Sequence, residues 1–396
     1  MIKQFTTNAL LKTFELQKDK ISTSFSSGVD GINGKQFSDN IDDEIEIISR
    51  KIENGTYRFS KYKKMLIIKS ENKTRTISIP TQRDKFVLKI LNTILKDSYQ
   101  YDTKTAKANI VEITQNYKHY DSFIKVDVTN FFPTIDHKIL LDILSQKLPE
   151  EIISLIQQAI SQELNSVGIA QGLPISGMLA DIYMEEFDKK YNSKKTIKYY
   201  RFVDDVLILS TKYNVTKLKN SIEKDMKGLK LTIHPFGENI DKSFSGNIID
   251  GFQYLGYLFK NNNISVRDAS IEKLYININK LFTQYKNIKK KDSLERLLFC
   301  GDLNNKITGV KVNNNHYGWI GYFSNIDDMK LLFGLDMHIE KMCVKNGIKY
   351  EGKIKKISRA YYELRRNDTK YIPSYSIRTK KVNKIIKDLE DDVLNY

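Results

Sequence analysis

The sequence predicts an α+β fold, an antiparallel sheet backed by helices, on three observations. KYYRFVDDVLILS reads as a β-hairpin bent at an acidic doublet, Asp204–Asp205, between two apolar runs. A third carboxylate, Asp127, ends another apolar segment in FIKVDVTNFFPTID. Around these runs lie stretches of helical periodicity, in the order strand, helix, helix, hairpin, helix, strand.

Taken in order, residues 1–26 read as a short amphipathic helix and a polar lead-in. SSGVDGINGKQF is turn-rich, with Gly28, Gly31 and Gly34 around Asp30. IDDEIEIISRKIENGTYRF predicts a helix ending near Gly55. MLIIKS and TRTISIP predict two strands joined by the charged turn SENK, a hairpin carrying Lys69, Lys73 and Arg75. Pro80 ends it, and RDKFVLKILNTILKDSY resumes helical periodicity. A strand over 123–128 precedes a helix from Ile135 to Leu148 and another over 150–164. GIAQGLPISGMLADIYMEEFDKKY starts as a Gly/Pro-punctuated loop. It continues as a helix with Met178, Leu179, Ile182, Tyr183 and Phe187 on one stripe. VTKLKNSIEKDMKGLKLTI predicts a helix ending near Gly228 and then a short strand, and FQYLGYLFK a strand bent at Gly256. From residue 262 the texture turns helical and basic, a separate mostly helical domain over 262–396.

The chain's 396 residues are enough for two or three domains. With 40% hydrophobic and 28% charged residues it is globular rather than disordered. The net charge of +16 is clustered: residues 260–396 hold 27 Lys/Arg against 16 Asp/Glu, which implies a polyanionic partner. Cys300 and Cys343 do not form a close pair and no nearby histidine completes a zinc spacing, so a disulfide scaffold is not expected and a reducing cytoplasm is. The sequence has no apolar run of about 18 residues, so no membrane span is expected. MIKQFTTNALLKTFELQ lacks a signal-peptide core.

Three carboxylates on neighbouring strand ends suit two divalent ions, the requirement of nucleotidyl transfer. Asp127 and Asp204 are the expected shared ligands, Asp205 an auxiliary one, and the backbone oxygen of Val128 can join them. Mg²⁺ prefers such oxygens, with Mn²⁺ as a substitute. Like charges beside buried strands are costly unless a cation compensates. Phe132, five positions on, would form a planar wall that excludes a 2′-hydroxyl and selects deoxynucleotides, with Phe131 as the competing candidate. Gln171 would hydrogen-bond near the incoming nucleotide, and Gly172 would permit close backbone approach beside Pro174. Arg75 has the planar fork that matches triphosphate oxygens, with Lys73 or Lys69 assisting, and Arg83 suits a template backbone. Trp319 reads as core, with stacking on nucleic acid the competing role. His137 and His234 read as packing or solvent-facing.

IKVDVTNFFPTID, GIAQGLPISGMLADIY, YYRFVDDVLIL and FQYLGYLF, in that order, resemble four successive motifs of bacterial reverse transcriptases of the group II intron and retron-like kind. TRTISIPTQRDKFV resembles the fingers motif of that family, SSGVDGINGKQF the segment ahead of it, and ITGVKVNNNHYGWIGYFSNID the start of the thumb. The resemblance implies a right-hand fold. An N-terminal extension and the start of the fingers would span 1–60, fingers 61–120, a palm with inserted fingers elements 121–261, and a helical thumb with a basic C-terminal region 262–396. It implies copying of RNA into DNA from deoxynucleotides with Mg²⁺. Asp127, Asp204 and Asp205 match the catalytic triad, Phe132 the sugar gate, Gln171 the pocket glutamine and Arg75 the fingers arginine. Phe202 stands where the family commonly has tyrosine, next to the nucleic acid, and Val203 intervenes before the doublet. The lysine expected after GLKLTI is replaced by HPFGEN, with Lys242 as a substitute or pyrophosphate leaving without that proton donor. Compactness points to a phage-defence-associated (DRT-type) enzyme with a dedicated noncoding RNA template, a DNA product, and a companion protein, second reverse transcriptase or oligomer. The alternatives are a noncatalytic RNA-binding scaffold, and template-independent or protein-primed synthesis, for which 23 tyrosines supply hydroxyls.

Overall fold

The computed structural model describes residues 2–70, 73–100, 104–162, 166–211, 214–237, 242–289, 292–313, 315–348, 354–366, 370–376 and 379–393. Antiparallel strand pairs and many helices make it α+β, as expected. The chain divides into two units. The first comprises Met1–Lys104, Lys125–Ile208 and Tyr213–Phe244; the second comprises Thr105–Ile124, Leu209–Lys212 and Ser245–Tyr396.

In the first unit, Thr6 caps a Thr7–Ser22 helix that buries Leu10, Phe14 and Ile21. Asn33 and Gln36 form a capping box that starts a short Gly34–Asp39 helix inside the segment expected as turns. The Ile41–Glu53 helix buries Ile45, Ile48 and Ile52 and stops just before Gly55, whose φ is +65°. These faces meet the Gln82–Tyr99 helix, where Phe86 packs 6.4 Å from Phe14 and 6.0 Å from Phe37. Buried Asp84 accepts from Tyr57 Oη (2.7 Å), Thr81 Oγ1 (2.8 Å) and the Ser60 amide (3.0 Å). Those bonds satisfy a carboxylate that burial would otherwise penalise, and they tie the approach to the hairpin onto the helix start.

The hairpin follows as β1 (Lys63–Ser70) and β2 (Lys73–Ile79), a two-stranded sheet by itself. Met65, Leu66 and Ile67 are 45%, 68% and 42% exposed, so neither face of β1 is covered there. A lone hairpin is marginal in water, and its base is held where the Ser78 amide donates to Gln171 O at 2.7 Å.

A four-stranded sheet carries the carboxylates. Its strands are β3 (Ser122–Asp127), β4 (Ile197–Phe202), β5 (Asp205–Ser210) and β6 (Phe244–Asn247), in the order β4-β5-β3-β6. Val206 to Leu209 are wholly buried, as a continuous apolar run in an interior strand should be. The helix expected from Ile135 runs over His137–Leu144, because Asp136 caps it through the Ile139 amide. The next spans Glu150–Ile160. The strand expected after Gly228 is reduced to one bridge, Ile233 to Val128.

In the second unit, FQYLGYLFK is a hairpin rather than one bent strand. β7 (Phe252–Tyr254) and β8 (Tyr257–Lys260) flank Leu255 and Gly256, both at positive φ (47° and 82°), and β9 (Asn263–Val266) completes a three-stranded sheet. Consecutive left-handed residues are what a tight two-residue connection demands. Helices Asp268–Lys286, Ser293–Thr308, Met329–Lys345, Ile357–Arg365 and Lys380–Val393 follow. They enclose a small sheet that periodicity did not reveal. Its strands, β10 (Val310–Val312), β11 (Asn315–Tyr317) and β12 (Ser374–Tyr375), lie in the order β11-β10-β12, with β10 and β12 parallel. Val310, Val312, Val382, Ile386 and Leu389 form its core. Cys300 and Cys343 are both buried and not joined in a disulfide. Among the described residues no helix is long and apolar enough to cross a membrane.

Candidate active site

Asp127 is the last residue of β3 and is held from several sides. Its amide donates to Ser243 Oγ at 3.1 Å, and its carbonyl accepts from the His234 amide at 3.0 Å. Its carboxylate receives Lys242 Nζ at 3.1 and 3.0 Å on its two oxygens, with His234 Nε2 3.3 Å from Oδ1. The Asp127 side chain is 16% exposed and that of Lys242 36%.

Asp204 and Asp205 sit at the bend between β4 and β5, whose loop is only Val203 and Asp204. Val203 has φ +58°, the left-handed region that a β-branched residue rarely enters. Burial pushes the Asp205 carboxyl up, and the charges of Asp204 and Asp127 add to this while Lys125 and Lys242 oppose it. The result is a value of about 6. Five charged groups from three segments thus share one neighbourhood.

Among the described residues, no three His, Cys, Asp or Glu side chains close round a single ion point. The donors are nevertheless all hard oxygens, the kind Mg²⁺ and Mn²⁺ take. The crowding felt by Asp205 is what a bound cation relieves. Val128 is buried at its bridge to Ile233, beside Asp127.

The remaining residues separate into those near this frame and those committed elsewhere. Phe131 is buried and Phe132 half-exposed, their rings 5.7 Å apart, so Phe132 is the one with a free surface. Its carbonyl accepts from the Ile169 amide at 2.8 Å, joining it to the loop that leads to Gln171. Gly172 lies against β2 at φ +103°, and a Cβ there would stand 2.6 Å from Ile77 Cγ2 and 2.8 Å from Ser78 O. Only glycine fits, which supports the close backbone approach expected of it. Among the described residues Gln171 Oε1 is buried with no hydrogen-bond partner, and Pro174 is half-buried. Arg75 is exposed on β2, paired in register with Ile67. The side chains of Lys69 and Lys73, with turn residues 71 and 72, lie outside the described residues. Phe202 is half-buried at the end of β4.

Three expectations need correction or sharpening. Trp319 is 1% exposed and packs 4.8 Å from Phe323, so it fills a core and offers no face to a base. Arg83 is committed to Glu44, with Nη2 2.8 Å from Oε1 and Nε on Oε2, beside a cavity of about 320 Å³ that none of the three aspartates lines. His234 faces Asp127 instead of solvent alone, while His137 is buried with Nε2 2.6 Å from Gly168 O. Sequence reasoning missed Lys125, Ser243 and Arg201. Lys125 had a signal: two positions before Asp127 on a strand, it shares that face.

The comparisons bear on this geometry. Residues 63–258 match the family described as reverse transcriptase (RNA-dependent DNA polymerase). This segment, just under half of the chain, matches a reverse transcriptase domain. It contains all three aspartates, the Gly172 loop and the exposed hairpin. The enzyme class of the reverse transcriptase domain is RNA-directed DNA polymerase, a nucleotidyltransferase. The chain is similar to Protein YkfC of Escherichia coli (strain K12), 22% identical over 58% of this chain and 74% of the relative. It is also similar to the group II intron-encoded protein LtrA of Lactococcus lactis subsp. cremoris, 25% identical over 37% of this chain and 28% of that protein. The chain therefore spans less than a third of the intron-encoded relative. Among solved structures, telomerase from Candida albicans in complex with a fragment of telomeric RNA aligns at 12% identity. It covers 90% of this chain and 68% of its own, with a TM-score of 0.42.

Proposed function

We propose that the chain adds deoxynucleotides to a 3′-hydroxyl on an RNA template, using divalent ions held by Asp127 and Asp204 with Asp205 as auxiliary ligand. One observation carries this reading: Asp127, at a strand end, and Asp204, at a hairpin bend, both lie within electrostatic reach of Asp205. Bound Mg²⁺ or Mn²⁺ would favour loss of the hydroxyl proton and neutralise charge on the triphosphate and leaving pyrophosphate. Half-exposed Phe132 would wall the sugar side and select against ribonucleotides. Arg75, exposed on the fingers hairpin, would grip phosphate oxygens with its planar fork. Gln171, whose buried Oε1 has no partner among the described residues, has acceptor capacity to offer the nucleotide. Fingers over 61–120, palm over 121–261 and a basic thumb over 262–396 belong to the same proposal. So do a dedicated noncoding RNA, a companion protein and a part in antiviral defence, which rest on family analogy.

A test is incorporation of labelled deoxynucleotides by the purified protein with its co-purifying RNA. Incorporation should require Mg²⁺ or Mn²⁺, and Asp204→Asn should abolish it while RNA binding persists. Full incorporation by that variant overturns the assignment. Sequencing the bound RNA beside the product tests the template.

The Lys242–Asp127 pair supports a second reading, a noncatalytic RNA-binding scaffold in which Lys242 permanently neutralises Asp127. Titration with Mn²⁺ separates the two, since a scaffold of this kind leaves the ion unbound.

A further inference from the structure

Arg201 lies three residues before Asp204, and its side chain is only 5% exposed. Its fork meets Asp188 through both prongs: Nε is 2.8 Å from Oδ1 and Nη2 is 2.6 Å from Oδ2. The remaining nitrogen, Nη1, is shared between Asp181 Oδ1 at 3.1 Å and the carbonyl of Val203 at 2.8 Å. Tyr199 Oη donates a further bond to Asp188 Oδ1 at 2.5 Å. Asp181 belongs to the Ser176–Tyr183 helix and Asp188 to the Glu185–Asn192 helix, and both carboxylates are buried. One guanidinium therefore links two helices to the backbone of the bend that carries the acidic doublet.

The bend requires such a link. A two-residue hairpin loop with positive φ at its first position normally holds glycine there. Here the residue is valine at φ +58°, a strained arrangement that persists only where surroundings over-determine it. The Val203 carbonyl belongs to the peptide that leads into Asp204. Holding that oxygen fixes the peptide plane from which Asp204 departs. Lysine has one compact head and cannot serve Asp188 through two parallel bonds while also reaching Val203 O.

From this geometry we infer that Arg201 is a positioning residue for the nucleotidyl-transfer site. It holds the strained Val203 peptide in place and thereby sets the direction of the Asp204 and Asp205 carboxylates, without touching substrate. The inference rests on the proposed function for its consequence, but the positioning itself has a separate readout.

The experiment compares wild type, Arg201→Lys, Val203→Gly and the double variant. It measures amide hydrogen exchange over 197–210 in metal-free protein, thermal stability, Mn²⁺ binding by calorimetry, and kcat and KM for deoxynucleotide incorporation. Arg201→Lys should speed exchange at the bend by at least tenfold, weaken Mn²⁺ binding several-fold and lower kcat at least tenfold, with KM and the melting temperature little changed. Glycine adopts positive φ without strain, so the double variant should recover part of the lost kcat. Wild-type exchange and kcat in Arg201→Lys would overturn the inference. So would exchange that rises evenly across the chain with a fallen melting temperature, which marks a purely structural role. If wild type incorporates no nucleotide, the proposed function fails, and the exchange and Mn²⁺ comparisons still decide the role of Arg201.

Discussion

The two halves of the candidate site hold the same kind of side chain by opposite means. Asp127 is balanced by Lys242, an ammonium 36% exposed on a flexible stem, reached at 3.0 and 3.1 Å. The Asp204–Asp205 bend is held through a guanidinium 5% exposed, with two buried aspartates and a backbone carbonyl as its partners. An exposed pair is worth little and exchanges readily. A buried fork is permanent, because removing one partner strands the other in a poor solvent for charge. The difference suits a site where one counter-ion must yield to a divalent ion while the geometry of the opposite ligands stays put.

The sharpest way to break this comparison is Asp188→Asn, which keeps the shape and removes one charge from the buried fork. It should cost about 3 kcal/mol in urea unfolding, and a loss below about 1 kcal/mol would show that the pair behaves as a solvated surface contact and not as a buried one. Gly172→Val comes next. It combines φ +103° with contacts of 2.6 and 2.8 Å to Ile77 and Ser78, so it should lose about 2 kcal/mol and raise the nucleotide KM. An unchanged melt would mean that the loop moves aside freely. Val203→Gly should change stability by no more than about 1 kcal/mol, because relief of the strained φ offsets the added freedom of the unfolded chain. A large loss there would mean the valine side chain, not the backbone, matters. Lys242→Met should have the smallest effect on stability, under about 1 kcal/mol, consistent with a part-exposed pair. It should nevertheless tighten Mn²⁺ binding several-fold, since the competitor for Asp127 is gone. Weaker Mn²⁺ binding in that variant would reverse the role assigned to Lys242.

Much of the frame was legible from local pattern. Alternation and β-branched residues marked β1 and β2, and an acidic doublet between apolar runs marked the β4–β5 bend. Caps and 3.6-residue spacing marked the helices to within a few residues, as at Ile41–Glu53 and Val215–Gly228. What escaped was non-local. The small sheet inside the helical region pairs β10 with β12 in parallel, two segments about 60 residues apart whose three- and two-residue lengths carry no period. The Leu255–Gly256 turn is hidden in the sequence because its left-handed leucine gives no turn signal. Lys242 is legible in the sequence only as a stand-in for a family lysine, and its place on Asp127 depends on a chain return from a distant segment.

By itself, the order of residues determined that this chain would place Asp127 on a strand end and Asp204 and Asp205 on a hairpin bend, because strand period and turn chemistry act over a handful of neighbours. Only the tertiary structure decided which cations stand against them and how firmly. Lys242 and Arg201 reach their carboxylate partners over 115, 20 and 13 positions of chain, to Asp127, Asp181 and Asp188. Ion pairing depends on distance in space and on the water excluded around it, and neither is written into any short stretch of sequence.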